Sequence, residues 1–421
     1  MVRAFAVTCA TLQLGLLVAH MAAPSRSPAL PAPPHAHLTY ETLGYPDPDT
    51  SGPRWENFLE LVVHSDGHLA RPLAYQFDAR AVSDDADFTA AAYSLRNAER
   101  RRAYLSVSSA FLDYQATDQL RLRLGMQGAQ VAGWSLIDEL KPANLMTPRD
   151  ASDPFRRIDQ GVPAISGRYE RGSAYLDLFV VPLMFTLGRL PQGRWSIVPA
   201  GVELQQELPP VRWNETQAGA RVGAQIAQLD VALIGYVGRD SLPIFVAESG
   251  PTGGRVIDRY PGLQAGGANA SQQLGEQILV RAEVVYFVNP HADRDNFVQS
   301  AGGFDVNLPN WTFILNYLRD DRSTQSPAGV VNAGERRFFQ SFLFGEVRYD
   351  AGWRLQGRLR GGYDFTERFW LLQPEISYRL LDDPEVSVAL TGEIIDAARP
   401  SYFDMIRHED RLGTRLQYHF F

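Results

Sequence analysis

The stretch LGTRLQYHFF, residues 412–421, alternates apolar and polar side chains along its length. The even-numbered positions, here called the apolar parity, include Leu412, Leu416, Tyr418 and Phe420. The odd-numbered positions, the polar parity, include Arg415, Gln417 and His419. A period of two residues is typical of a β-strand with one apolar face and one polar face. The stretch therefore predicts an amphipathic strand, and we asked whether the rest of the chain follows the same pattern.

The same period recurs through most of the 421 residues, and it is clearest in DQLRLRLGMQ, residues 118–127. We count about 16 such segments, most of them 9–13 residues long, which is the length a tilted strand needs to cross a bilayer. The predicted strands are 71–82, 103–114, 118–127, 162–170, 173–184, 216–227, 229–240, 257–268, 276–288, 296–307, 310–319, 338–349, 352–364, 368–380, 384–396 and 411–421.

The links between these segments alternate between short and long. Short links lie near 115–117, 171–172 and 308–309, and long polar links lie near 131–161 and 185–215. Short turns on one side and long loops on the other are typical of bacterial outer-membrane barrels. The sequence therefore predicts an all-β protein with one transmembrane antiparallel barrel, short periplasmic turns and long outer loops. In this topology the last strand closes the barrel against 71–82.

The first residues predict an export signal. A short basic start is followed by an apolar run and then by small residues near Ala22 and Ala23. A Pro-rich stretch follows, which favours an extended leader. The predicted organisation is a signal peptide at 1–23, a leader and lead-in at 24–70, and the barrel at 71–421.

Composition and motifs argue against several classes of function. Acidic residues outnumber basic ones, 48 to 40, and no basic block indicates nucleic-acid binding. The single cysteine, Cys9, lies within the predicted signal, so thiol catalysis and thiolate metal sites are not expected. The histidines show no metal-binding spacing, and the phosphate- and dinucleotide-binding fingerprints are missing from the sequence. We therefore expect no enzyme activity, no catalytic residues, no metal and no cofactor.

Two stretches resemble a known protein family. They are RRAYLSVSSAFLDYQATDQLRLRLGMQ, residues 101–127, and GWSLIDELKPANL, residues 133–145. Both are similar to a porin-like outer-membrane barrel family of unassigned function that is related to alginate-export-type porins. Lys141 and Ser109 depart from the family pattern, where Asn and Glu are usual. The resemblance implies an outer-membrane barrel and identifies no solute.

The polar parity of the predicted strands should line the lumen, where clustered charge would act on passing solutes. Arg354, Arg358 and Arg360 share one parity and would form a column of positive charge. The alternative is that inward charges pair with neighbouring strands and serve the structure alone. The lumen-lining candidates are Arg121, Arg123, Arg221, Arg281, Glu283, Arg354, Arg358, Arg360 and Glu375.

The link at 131–161 is long enough either to fold into the pore as a constriction or to remain a surface loop. Its candidate residues are Trp134, Asp138 and Lys141. The sequence leaves both arrangements open.

These features predict a channel in the bacterial outer membrane that passes small polar or anionic solutes, or the outer-membrane part of an export or uptake route. The expected partners are outer-membrane lipid, the barrel-assembly machinery and a small solute of unknown identity. One alternative is an adhesin or structural barrel whose long loops bind a partner. A second alternative is a lipid hydrolase that uses Ser401 with His408 or His419.

Overall fold

A computed structural model gives the architecture of the chain. It describes residues 34–46, 54–84, 105–128, 134–137, 149–153, 156–159, 161–182, 203–207, 213–240, 244–250, 253–288, 296–321, 339–352, 354–398 and 410–420. Strands make up nearly all of this part of the chain. None of the described residues form a helix long and apolar enough to cross a membrane.

The strands follow the alternating segments of the sequence. In chain order they are β1 (His35–Gly44), β2 (Trp55–Ala70), β3 (Leu73–Asp84), β4 (Leu105–Gln115), β5 (Leu120–Gln127), β6 (Arg149–Asp153), β7 (Arg156–Asp159), β8 (Val162–Arg171), β9 (Ala174–Val181), β10 (Glu203–Glu207), β11 (Gln217–Ile226), β12 (Leu229–Arg239), β13 (Ile244–Gly250), β14 (Gly253–Arg259), β15 (Gly262–Leu274), β16 (Ile278–Val288), β17 (Phe297–Leu308), β18 (Trp311–Asp320), β19 (Ser341–Asp350), β20 (Leu355–Asp364), β21 (Phe369–Asp382), β22 (Glu385–Ala397) and β23 (Arg411–Phe420). A 3-10 turn, Trp213–Glu215, precedes β11.

Eighteen of these strands form one closed antiparallel barrel. Each barrel strand pairs with the next one along the chain, and β23 pairs with β1 to complete the ring. Closure gives every strand two partners and leaves no free sheet edge. The remaining strands lie in the long links: β6 pairs with β7, and β10, β13 and β14 form a small sheet.

The barrel begins earlier than the sequence predicts. The expected leader at 24–70 contains two barrel strands, β1 and β2, and these account for the difference between about 16 strands and the observed 18. The first run of prolines in this stretch ends at Pro34, and β1 starts immediately after it. β1 alternates as the other strands do, with Thr39 and Glu41 on the buried side and Leu38 and Tyr40 on the other, but the prolines on both sides of it favour an extended leader.

The closing partner of the last strand is therefore different from the prediction. β23 pairs with β1, with Arg415 opposite Glu41 and Gln417 opposite Thr39. It does not pair with the strand at 73–84, which lies two positions further round the ring.

The links sort by length as the sequence predicts. The connections at 71–72, 172–173, 227–228, 309–310 and 383–384 are tight turns, and all of them lie at one end of the barrel. The connections at the other end are longer, except for the turn at 365–368. We call these ends the short-turn end and the long-link end.

The two faces of the wall differ in polarity because successive side chains point to opposite sides of a sheet. The outer face carries exposed apolar residues such as Leu124, Leu233 and Leu390. The inner face is charged towards the short-turn end. Towards the long-link end it carries two buried apolar clusters, one around Phe179 and Phe287 and one around Phe342 and Phe369.

Candidate functional site

A short segment of the long link between β5 and β6 lies inside the barrel. This segment, residues 134–137, is called here the inserted segment. It is hydrogen-bonded to the inner face of β15 and β16, and these strands are several positions round the ring from β5. A loop that crosses the lumen in this way narrows it.

Glu283 on β16 receives the inserted segment. Its carboxylate accepts a hydrogen bond from the Ser135 hydroxyl at 2.6 Å and another from the Leu136 backbone N–H at 3.1 Å. The Glu283 residue is only 3% exposed, so both bonds are shielded from water. Hydrogen bonds to a charged group are stronger than neutral ones. Glu283 therefore anchors the segment.

Two neighbours of Glu283 complete the attachment. Arg281 donates from Nη1 to the Leu136 carbonyl at 2.6 Å and forms an ion pair with Asp305 on β17. The side-chain amide of Asn269 on β15 donates to the Trp134 carbonyl at 2.5 Å. The barrel wall thus provides hydrogen-bond donors for the Trp134 and Leu136 carbonyls, as a buried backbone requires.

The apolar side chains of the inserted segment contact two parts of the wall. Trp134 is 5% exposed, and its ring lies 5.4 Å from that of Phe179 on β9. Ile137 is fully buried in the cluster that includes Phe342 and Phe369. The segment therefore bridges the two apolar clusters, which lie on separate arcs of the barrel.

The first basic patch consists of Arg121, Arg123, Arg168 and Arg221 on β5, β8 and β11. Arg121 and Arg123 both donate from Nε to the carboxylate of Asp113 on β4, at 2.6 and 2.8 Å. One buried carboxylate thus holds two guanidinium groups. This leaves only partial positive charge for a solute at that position.

The other half of this patch is less completely neutralised. Arg168 forms ion pairs with Glu170 and, at 3.5 Å, with Asp177 on β9. Arg221 lies opposite Asp177 in register, but it forms no ion pair within the described residues, and its Nε is buried without a hydrogen-bond partner. Both guanidinium groups lie over the ring of Tyr175, at 4.7 and 5.1 Å from its centroid. Arg221 therefore retains most of its hydrogen-bonding capacity.

A cavity of about 430 Å³ opens beside the first basic patch. Trp134 forms part of its wall, so the inserted segment also bounds the cavity. Its lining residues are Gln115, Asp118, Gln119, Arg121, Arg123, Trp134, Ser166, Gly167, Arg168, Glu170, Asp177, Leu178 and Arg221.

The second basic patch consists of Arg348, Arg358, Arg360 and Arg415 on β19, β20 and β23. The carboxylate of Glu375 on β21 pairs with Arg358 at 2.8 Å and with Arg415 at 2.6 Å, and Arg348 pairs with Glu346. Arg360 forms no ion pair with a described residue, and its Nε is buried without a partner. Since β20 lies nine strands from β8 round the ring of eighteen, the two patches face each other across the lumen.

The structure separates some residues that the sequence grouped. Arg358 and Arg360 share the inner face of β20, but Arg354 lies in the turn before that strand, where it pairs with the exposed Asp382 at 3.2 Å. The column of positive charge therefore contains two arginines within the strand, with Glu375 beside one of them. Asp138 and Lys141 fall outside the described residues.

Sequence reasoning missed several residues of the site. Asp113, Ser135, Asn269, Asp305 and Arg415 all make contacts that define it. Asp113 and Arg415 lie on polar parities that the alternation reveals. Ser135 and Asn269 carry no local signal, because their partners are more than a hundred residues away in the chain.

The residues considered for catalysis do not assemble in the part of the chain that is described. Ser401 and His408 lie outside it. His419 stacks against His37 with ring centroids 5.4 Å apart, and its Nε2 lies 3.9 Å from Glu385. Among the described residues, no group of three or more side chains could hold a metal ion.

Comparison with known proteins supports the fold. No protein-family model and no curated protein sequence matches the chain. Many solved structures match, and two of them align over more than nine-tenths of the chain. OccK11 (OpdR) of Pseudomonas aeruginosa aligns with a TM-score of 0.51 and 12% sequence identity. The alignment covers 92% of this chain and 94% of OccK11. OccAB4 of Acinetobacter baumannii aligns with a TM-score of 0.50 and 12% sequence identity. This alignment covers 94% of this chain and 99% of OccAB4. The chain therefore has a porin-like barrel fold, as the sequence predicts.

Proposed function

We propose that the protein is an outer-membrane channel for small polar solutes and that the inserted segment forms part of its constriction. The observation that carries the proposal is the docking of residues 134–137 on Glu283, Arg281 and Asn269 inside a barrel of eighteen strands. A barrel of this size has a lumen wide enough for water and solutes. A segment held across it would set the size and charge of what passes.

The outer surface supports a location in a membrane. Exposed aromatic residues lie near both strand ends on the outer face, where amphipathic rings suit the headgroup level. Tyr114 and Trp311 lie near the short-turn end, and Tyr317, Tyr363 and Trp370 near the long-link end. The apolar residues between them would contact outer-membrane lipid. In the usual orientation the short turns are periplasmic, and insertion would require the barrel-assembly machinery.

The charges of the lumen suggest weak rather than strong anion preference. Most inward arginines are paired with carboxylates on neighbouring strands, and such pairs contribute little net field in a wet lumen. Arg221 and Arg360 differ because no described carboxylate forms an ion pair with either. These two guanidinium groups, on opposite walls, are available to an anionic group of a solute. Kinship with alginate-export-type porins remains a prediction from the sequence.

Planar-bilayer recordings of the purified protein test this function. We expect discrete conductance steps and a small anion preference, measured as the reversal potential in a salt gradient. Neutralising both Arg221 and Arg360 to Gln should shift the reversal potential towards cation preference. The matched control for each single substitution, Arg221→Gln or Arg360→Gln, is Arg354→Gln, which also removes one positive charge but from the exposed turn. A barrel that inserts but never conducts would rule out a channel.

A further inference from the structure

The cavity beside the first basic patch carries two unpaired charges of opposite sign. Three of its four arginines are held by carboxylates, and Arg221 is the exception. On the acidic side, Glu170 and Asp177 pair with Arg168. The third carboxylate, Asp118, makes no hydrogen bond or ion pair with any residue that the structure describes. The cavity is therefore bipolar, with Arg221 available on one wall and Asp118 on another.

The separation of these two charges limits what can contact both. Asp118 lies in the turn between β4 and β5, and Arg221 lies on β11, three strands beyond β5. The pairing register places Arg221 level with Arg121, which is three residues beyond Asp118. At about 4.8 Å per strand and about 3.3 Å per residue, the two backbones are roughly 17 Å apart. The side chains cover part of this distance. A single α-amino acid, whose charged groups are adjacent, is too short to reach both.

The surface between the two charges is polar. Gln119 and Ser166 line the cavity between Asp118 and Arg221, and Gln115 lines it beside Asp118. Each makes one hydrogen bond within the protein and keeps further donor or acceptor capacity. Amide and hydroxyl groups of this kind can donate to and accept from peptide groups. A simple anion would use Arg221 alone and leave Asp118 without a partner.

We infer that the cavity binds a short zwitterionic peptide of two or three residues. Its terminal carboxylate contacts the Arg221 guanidinium, its terminal ammonium contacts Asp118, and its backbone amides lie along the polar surface. Trp134 closes one side of the cavity, so a bound peptide lies next to the inserted segment. The inference deepens the proposed function and rests on it where transport is concerned, because the site would be the place at which a solute pauses during passage.

Isothermal titration calorimetry on the folded barrel in detergent tests the inference without relying on conductance. The probes are tri-alanine, N-acetyl-tri-alanine, tri-alanine amide and alanine, which differ in terminal charge or in length. We expect tri-alanine to bind at least about tenfold more tightly than the two singly charged peptides, since each loses one charge-assisted contact. Alanine should bind no better than they do. This comparison needs no substitution.

Two substitutions assign the ends. D118N should abolish the advantage of tri-alanine over N-acetyl-tri-alanine, and R221Q should abolish its advantage over tri-alanine amide. Asp382→Asn, at the exposed end of β21 on the opposite wall and at the same end of the barrel, is the matched control and should leave all four affinities unchanged. Circular dichroism verifies the fold of each variant.

Several results would overturn the inference. They are an absence of tri-alanine binding, equal binding of the N-acetylated peptide, or an unchanged preference in D118N. Recordings on the same preparation separate the two proposals. A conducting barrel without peptide binding overturns the peptide site alone, and a barrel that binds the peptide but never conducts overturns the channel alone.

Discussion

The carboxylate of Glu283 accepts a hydrogen bond from the Ser135 hydroxyl at 2.6 Å, although 148 positions separate the two residues in the chain. This contact joins the barrel wall to the segment that crosses its interior. The contact fixes the inserted segment inside the lumen. Removing the Glu283 side chain should therefore release the segment.

Replacing Glu283 with Ala should increase the single-channel conductance and the open-channel noise. The change removes two hydrogen bonds to a charged acceptor, which costs the docked segment roughly 3 kcal/mol or more. Planar-bilayer recording measures both quantities. The control is Glu385→Ala, whose side chain is 40% exposed at the short-turn end. Unchanged conductance in Glu283→Ala would show that residues 134–137 do not limit flow.

Replacing Asp113 with Asn should make the channel more anion-selective. The Asp113 carboxylate holds both Arg121 and Arg123, so its loss exposes two positive charges to the lumen. The measurement is the reversal potential in a tenfold KCl gradient. Asp382→Asn removes the same charge from the exposed end of β21, beside Arg354, and should have a smaller effect. Equal shifts in the two variants would contradict a role for this wall in selectivity.

Deleting residues 35–44 should prevent the barrel from closing. β1 pairs antiparallel with both β2 and β23, so without it these two strands run parallel to each other and cannot form the pairing seen elsewhere in the ring. The measurement is the yield of folded, protease-resistant protein. Deleting residues 24–32, which leaves β1 whole, is the control. A good yield of folded protein after deletion of residues 35–44 would support the sequence interpretation in which this region is only a leader.

Replacing Gly267 with Ala should destabilise the barrel by about 1–3 kcal/mol, which is typical of overpacking. A Cβ at this position would stand 2.4 Å from the Val284 carbonyl oxygen on the next strand. At the neighbouring Gly266 the nearest atom is 3.9 Å away, so Gly266→Ala should stay within about 0.5 kcal/mol. Urea unfolding of the two variants measures the difference. Equal stabilities would show that the strands separate easily at this point.

The sequence by itself determined the class of fold, the position of most strands and the sorting of the links by length. It could do so because the period of a strand and the brevity of a turn are local properties. The same alternation placed Arg121, Arg281, Glu283 and Arg360 on the polar parity, which is the inner face in the structure.

Only the tertiary structure decided the rest. The prolines on both sides of β1 favour a leader, and only its pairing with β2 and β23 shows that it belongs to the barrel. Whether an inward arginine is available depends on the residues opposite it on neighbouring strands, as the contrast between Arg358 and Arg360 shows. The docking of Ser135 on Glu283 depends on how a long link folds back into the lumen. These are contacts between residues far apart in the chain, and a local period carries no information about them.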